Sequence, residues 1–541
     1  MKILCVSPAF PETYWGQERA LRLIGKRALL PPLGLLTVAA LLPGEWEARL
    51  VDMNVRPLED ADLAWADAVF LTGMLVQRPS MLEVADRARA AGKIVVAGGP
   101  HATATPDAVA PHVDCIVVGE AEELVAPLCA ALLGDRAALP ARFTASRRPD
   151  LKRLPPPRYD LLDIDAYHVI GVQWGRGCPF RCEFCDIVEL FGRSPRTKEP
   201  TQLCRELDAL LATGFRGSLF VVDDNFVGNR KETLALLGPL GAWMRVHGFP
   251  FQIFTEASID LAGCDDMIAG MVAAGFDCVF VGIETPSPAA LRETHKTQNL
   301  KVDLNEAIDK LIRSGLDVMA GFIMGFDADD AAALDRQREW ILRSPIPQAM
   351  MGILTALPGT QLERRLMREG RLVERASGET FGRANFKTML PEPTLLQTYR
   401  DALEQIYRPE AYFDRCLRAL ALRPQAASAF SLPWRYALRC VLSSVWLQGV
   451  TGNYRKAYWR FIGKVLRRAP RRIARAVALA IAGEHMIGYT AEAVLPRLDL
   501  AIEDARREEA EAAGKLARAH GRRGPRHVSA DPVMDVEAAA S

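Results

Sequence analysis

The sequence predicts an α/β chain of three parts: an N-terminal doubly wound parallel sheet, a central partial βα barrel and a C-terminal, mainly helical extension. Two observations carry this reading. Short apolar runs alternate with helix-like stretches over residues 1–140 and again over residues 169–375, and the alternation then stops. Runs of this length, each closed by a small or polar turn, read as buried parallel strands joined by crossover helices.

In the first block the strand candidates are KILCVS, ARLVDMN, AVFLTG, KIVVAGG and CIVVGE, ending at Ser7, Asp52 to Asn54, Thr72–Gly73, Gly98–Gly99 and Gly119–Glu120. Ligands of doubly wound sheets bind at the carboxyl ends of the strands, so these turns are the expected floor of a binding site. Residues 141–168, with the Pro- and Arg-rich SRRPDLKRLPPPRYD, are expected to be a linker. The second block holds six strand candidates, VIGVQWG, SLFVVDD, FQIFTEA, CVFVGIE, VMAGFIMG and MMGILTA. A parallel barrel built from them would carry its catalytic groups at the strand ends. Residues 376–500 read as a helical domain and residues 501–541 as a charged, Ala-rich, disordered tail.

Composition narrows the function classes. With 541 residues, 49% hydrophobic, 25% charged and a formal charge of +1, the chain reads as folded and soluble, and no nucleic-acid partner is expected. The start, MKILCVSPAF, lacks the apolar length of a secretory signal, and no run reaches the ~18–20 apolar residues of a membrane span. A cytoplasmic location is expected, with contact at the inner membrane surface left open. Eleven cysteines without framework spacing fit free thiols plus one metal site.

The segment RGCPFRCEFCDI sets Cys178, Cys182 and Cys185 in Cys-x3-Cys-x2-Cys spacing on a loop directly after a predicted strand. Thiolates this close can converge on one cluster. Iron–sulfur clusters usually take four cysteines and zinc sites four Cys or His ligands, yet no fourth ligand follows nearby, which leaves one iron open for substrate. The alternative is three structural cysteines or a partial zinc site.

The segment resembles the hallmark of the radical S-adenosylmethionine superfamily. That resemblance implies a [4Fe–4S] cluster whose open iron is chelated by the amino and carboxylate groups of S-adenosylmethionine. It also implies a reductase or a flavodoxin- or ferredoxin-type electron donor. One electron then breaks the sulfonium bond and yields a 5′-deoxyadenosyl radical. Phe184 matches the aromatic found between the second and third cysteines, where it packs on the cofactor or simply in the core. Asp223, Asp224 and Asn225 end one strand candidate and Glu256 the next. One of these acids is expected to accept hydrogen bonds from the methionyl ammonium or ribose, with helix capping the alternative for Asp224. Glu284 in VGIETPS and Gly321 in GFIMGFD resemble superfamily motifs near the nucleoside, although a strand glycine also marks a bulge.

The sheet in front resembles the cobalamin-binding subgroup of that superfamily. PPLGLL (Pro31 to Leu36), GGPHATATPDA (Gly98 to Ala108) and VGEAEE (Val118 to Glu123) match its recurring turns. The resemblance places Gly98, Gly99, His101, Gly119 and Glu120 at the corrin site; taken alone they are ordinary strand-to-helix turns. An Asp-x-His-x-x-Gly motif is absent, because the comparable segment reads Asp52-Met53-Asn54. His101 and His112 are available, each also readable as a turn or surface histidine. A competing subgroup, the transfer-RNA methylthiotransferases, binds a second cluster through three N-terminal cysteines. Cys5, Cys115 and Cys129 instead read as buried small hydrophobes.

In the helical part, residues 453–475 carry nine Lys or Arg with Tyr454, Tyr458, Trp459 and Phe461. Helical spacing puts Tyr458, Ile462 and Val465 on one stripe, which fits either packing on the barrel or an anionic membrane surface. NFKTML (Asn385 to Leu390) and GEHMIGYT (Gly483 to Thr490) resemble the extension of bacterial hopanoid methylases, and bacteriochlorophyll side-chain methylases have a related one. The expected function is therefore a cobalamin-dependent radical methyltransferase acting on an unactivated carbon of an apolar substrate, a hopanoid-like lipid first. A cobalamin-dependent radical cyclase or rearrangement enzyme, for example on a tetrapyrrole, is the alternative.

Overall fold

The structure, a computed structural model, describes residues 1–376, 378, 382–424, 430 and 433–521. Its first sheet is parallel, with β1 (Lys2–Ser7), β2 (Glu47–Asp52), β3 (Ala68–Thr72), β4 (Ile94–Gly98), β5 (Cys115–Val118) and β6 (Arg142–Thr144) in the order β2-β1-β3-β4-β5-β6. Successive side chains of β1 enter different cores, Leu4 and Val6 on one face and Ile3 and Cys5 on the other. Burial on both faces is why the inner strands β1, β3, β4 and β5 are continuous apolar runs rather than alternating ones. The chain order reverses between β1 and β3, and register sets Ser7 beside Asp52 and Thr72 beside Gly98. The expected binding turns therefore share one end of the sheet.

Cys5, Cys115 and Cys129 are 0–4% exposed within this core, and burial pushes their thiols up to about 12, 11 and 11. They pack as small hydrophobes.

Residues 141–168 differ from a free linker. Their first part is the sixth strand, β6, and the remainder is docked: Leu151, Tyr159 and Tyr167 are buried. The Tyr159 hydroxyl donates to the Gly171 carbonyl at 3.1 Å and the Tyr167 hydroxyl to Asp52 Oδ2 at 2.9 Å. Two buried phenols that both find acceptors tie the two sheets together.

The second parallel sheet runs β14-β13-β12-β11-β10-β7, from β7 (Val169–Val172), β10 (Gly217–Val221), β11 (Phe251–Ala257), β12 (Phe276–Glu284), β13 (Asp317–Met324) and β14 (Ala349–Ile353). A two-stranded ribbon, β8 (Gly175–Arg176) with β9 (Arg196–Thr197), stands between β7 and β10 in the chain. All six strand candidates of the second block are present. In β11 and β13 buried residues alternate with half-buried ones, so one face packs on helices while the other is only partly covered. A closed barrel fills its interior with side chains. This curled half-barrel leaves its inner face open.

The helical part closes it. Helices Glu392–Ile406 and Pro409–Leu422 lie along the β14 edge, where Tyr399 and Tyr407 donate to the carbonyls of Met351 (2.9 Å) and Ala349 (2.6 Å). Arg475, on helix Ile473–Tyr489, reaches Asp277 at 2.6 Å at the base of β12, and Arg423 reaches Asp317 at 2.6 Å at the base of β13. Residues 501–521, expected in a disordered tail, instead continue helix Leu495–Gly521, because Leu498, Ile502 and Ala505 bury against Glu392–Ile406. Residues 522–541 lie outside the described residues.

Arg415 is fully buried and donates to the carbonyls of Ile346 (2.9 Å), Ile406 (2.7 Å), Pro347 (3.2 Å) and Ala411 (3.3 Å). Arg415→Leu would orphan these acceptors and is expected to cost roughly 3 kcal/mol after relief of the buried charge. Thermal unfolding with limited proteolysis checks this; an unchanged midpoint and an unchanged cleavage pattern would contradict it.

Candidate functional site

The triad sits on the loop between β8 and helix Ile187–Phe191. Gly177 has φ 97°, and a Cβ there would meet the Gly192 carbonyl oxygen at 2.8 Å, so the turn into Cys178 requires glycine. Two neighbouring acids hold this turn. Asp223 Oδ1 accepts the Trp174 N–H at 2.8 Å and Asp224 Oδ2 accepts the Gly177 N–H at 2.7 Å. Burial pushes Asp223 up to about 7 and Asp224 to about 6, with the backbone donors opposing. Asp223 and Asp224, candidates for the cofactor contact, hold the backbone of the cysteine loop, and Asp224 also reaches the cavity.

The thiols themselves receive donors. Asn225 Nδ2 donates to Cys178 Sγ at 3.8 Å and Gln298 Nε2 to Cys182 Sγ at 3.6 Å. Burial pushes the thiols of Cys178 and Cys185 up, so a thiolate set here calls for a compensating positive charge. Lys296 supplies part of it. It is 8% exposed and paired with Glu284; burial opposes its charge, but Glu284, Cys182 and Cys185 raise its pKa. Glu284 holds an unusual φ of 61°, and a Cβ at Gly282 would meet Lys296 Nζ at 2.6 Å. At Gly321 a Cβ would lie 3.1 Å from the Phe280 ring, so both glycines keep space beside this pair. Phe184 lies 6.2 Å from the Phe326 ring and 5.8 Å from Lys296 Nζ, at the rim of a small apolar cluster.

A cavity of about 1610 Å³ opens beside this loop and is lined by all three parts of the chain. From the first sheet come Ala9, Thr72, Gly73, Gly98, Gly99 and Gly119, the ends of β1, β3, β4 and β5. Gly99 has φ 87° and Gly119 φ 91°. Gly34 also faces the cavity, and a Cβ there would meet nothing within 4 Å, so that wall is kept flat. From the half-barrel come Glu256, Phe220, Phe254 and Phe280, and from helix Ile473–Tyr489 come Ala474, Ala478 and Ala482. Burial, then the nearby carboxylates of Asp224 and Glu284, push Glu256 up to about 7.

Two expected corrin contacts differ. His101 is buried, bonds Thr105 through Nδ1 at 2.9 Å and is not among the cavity-lining residues; burial lowers its pKa to about 4. Glu120 lines the cavity, but its two oxygens are taken by Arg176 and Arg196, each at 2.7 Å. Gln298 and Lys296 were not singled out in the sequence, and Asn225 and Gly34 were met only as members of a strand end and of the PPLGLL turn. Isolated amides and a loop lysine have no periodic signature, and only the position of Asn225 after two acids hinted at a site.

Three family models match the chain: B12 binding domain over residues 27–128, Radical SAM superfamily over residues 172–336, and a domain of unknown function over residues 360–496. Fold and site together define a radical S-adenosylmethionine enzyme with a B12-binding domain in front. An uncharacterized methyltransferase of Synechocystis sp. is 42% identical over 494 residues, covering 90% of this chain and 92% of that protein. Hopanoid C-2 methylase of Rhodopseudomonas palustris is 37% identical over 504 residues, covering 91% and 94%. The chain belongs to their family, the cobalamin-dependent radical S-adenosylmethionine methyltransferases.

Among solved structures, the cobalamin-dependent S-adenosylmethionine radical enzyme OxsB, with aqua-cobalamin and S-adenosylmethionine bound, matches with a TM-score of 0.58 at 14% identity, covering 94% of this chain and 84% of that one. The radical S-adenosylmethionine methyltransferase TsrM from Kitasatospora setae, with cobalamin and a [4Fe–4S] cluster bound, gives 0.55 at 15% identity, covering 86% and 99%. Both share the fold.

The family's cofactors are a [4Fe–4S] cluster, S-adenosylmethionine and cobalamin, and the residues present fit them. Three thiols with amide donors on two sulfurs suit a cluster. A glycine-walled cavity at the topological switch point suits a corrin. Cys182→Ala is expected to abolish cluster absorption while cobalamin still binds the first domain, read by anaerobic visible spectroscopy of the purified protein. Simultaneous loss of both would contradict two separate sites.

Proposed function

We propose that the protein methylates an unactivated carbon of a large apolar substrate, with a hopanoid-like lipid favoured. The observation that supports this most is the cavity, which takes in the carboxyl ends of first-sheet strands together with Asp224 and Glu256 of the second block and is walled by Phe220, Phe254, Phe280 and an alanine stripe. Two relatives with printed activities are methylases, hopanoid C-2 methylase (37% identical) and bacteriochlorophyllide d C-8(2)-methyltransferase (26%), and the anaerobic magnesium-protoporphyrin IX monomethyl ester cyclase (25%) belongs to the alternative. When bound, the cluster with S-adenosylmethionine supplies a hydrogen-abstracting radical and the corrin supplies the methyl group.

The chain's own residues divide the remaining work. Cys178, Cys182 and Cys185 hold the cluster, and Asn225 and Gln298 steady two of the sulfurs. Asp223 and Asp224 fix the loop. Glu256, whose carboxyl faces the cavity, accepts hydrogen bonds from the ammonium or ribose of S-adenosylmethionine, and Glu284 with Lys296 sets the charge beside the cluster. Phe184 screens that side from water. Gly98, Gly99 and Gly119, with Gly34 opposite, let the corrin approach backbone. The enzyme works in the cytoplasm and draws electrons from a reductase or a flavodoxin- or ferredoxin-type donor.

Each turnover is expected to release both 5′-deoxyadenosine and S-adenosylhomocysteine, and cells holding the protein to contain a lipid heavier by one methyl than cells without it. Anaerobic product analysis and lipid mass spectrometry check these outcomes. Deoxyadenosine without S-adenosylhomocysteine would overturn methyl transfer in favour of cyclisation.

A further inference from the structure

Helix Trp434–Ser444 and the π-helical turn Val445–Val450 that continues it carry apolar side chains on two faces. Tyr436, Ala437, Cys440 and Val441 line the cavity. On the outer side Trp434 is 70% exposed, Leu438 47%, Leu442 60% and Trp446 60%. Trp434, Leu438 and Leu442 follow four-residue spacing and so share one stripe, which Trp446 and Val450 prolong. A helix apolar on both sides is covered by something in its working state, and a contiguous exposed patch of this kind marks an interaction site.

Charge identifies the occupant. Residues 433–475 contain eleven Lys or Arg and no Asp or Glu, although the whole chain carries a formal charge of only +1. On the next helix, Arg455–Arg468, the stripe of Tyr458, Phe461, Ile462 and Val465 is buried, which leaves Arg455, Lys456, Arg460, Arg467 and Arg468 exposed. Lys464 pairs with Asp414 at 3.6 Å; those five have no carboxylate partner among the described residues. A second copy of the chain docked by two-fold symmetry would bring these cations against their own counterparts. An anionic bilayer instead offers acyl chains to the tryptophans and leucines and headgroup charge to the arginines.

We propose that helix Trp434–Ser444 and its continuation to Val450 form a docking element for an anionic membrane surface. Its inner face borders the cavity, so an apolar substrate passes from the bilayer past Tyr436 and Val441 without crossing water. The passage rests on the proposed lipid substrate; the docking does not.

Flotation of the full-length holoenzyme with phosphatidylcholine vesicles, with and without phosphatidylglycerol, tests this. Binding is expected to the anionic vesicles, weakened by salt, with a blue shift of tryptophan emission. The double variant Leu442→Glu/Trp446→Glu is expected to reduce the bound fraction roughly tenfold or more. Its release of 5′-deoxyadenosine in solution should match the unsubstituted protein, since neither side chain lines the cavity. Failure to float with anionic vesicles, equal flotation of the double variant, or a concentration-dependent dimer that the variant splits would each overturn the docking. Flotation without any methylated lipid would support the docking and count against the lipid reading.

Discussion

Arg176 stands two residues before Cys178 and is held in the interior by Glu120 at 2.7 Å and Glu122 at 2.6 Å, both from the turn that ends β5. Its side chain is 11% exposed and theirs 4% and 8%. Charges this deep are stable only as a set, and removing one partner of such a set typically costs about 3–5 kcal/mol. The pairing fixes the cysteine loop of the half-barrel against the ligand end of the first sheet, while Arg196 adds a second tie to Glu120. The placement of the cysteine loop beside the cavity depends on this junction.

The two sheets leave different problems for the chain to solve. The first buries both faces and ends in flat glycine turns, so its ligand end is a surface on which backbone can be approached. The second buries only its outer face. Its inner face would be an unpacked core if nothing covered it, and the alanine stripe of helix Ile473–Tyr489 covers it without filling it. Small side chains on that helix, and ion pairs from Arg475 and Arg423 at the strand bases, keep the space open at a defined width.

Strands of the first sheet that are buried on both faces write themselves into the sequence as apolar runs, and the half-barrel strands were legible because each short apolar run closes in a polar or glycine turn. β6, RFT, is short, polar and half exposed, so it read as linker. The docking of residues 141–168 was hidden because Tyr159 and Tyr167 find their acceptors, Gly171 and Asp52, on other elements. At the site, the cysteine spacing was legible because it is local. The donors to the sulfurs come from Asn225 and Gln298, far along the chain, and the hold of Asp223 and Asp224 on the loop backbone shows only in the fold. The basic run at residues 453–475 was legible as charge, whereas the apolar face it accompanies lies on the helix before it.

Through Arg176 the cysteine loop stands beside the glycine-walled cavity, which would set cluster and corrin close together. Electron paramagnetic resonance of the holoenzyme carrying cob(II)alamin and a reduced [4Fe–4S] cluster measures this directly. A magnetic interaction between the two centres, lost in Cys182→Ala, is expected; two unperturbed, independently relaxing spectra would overturn their proximity.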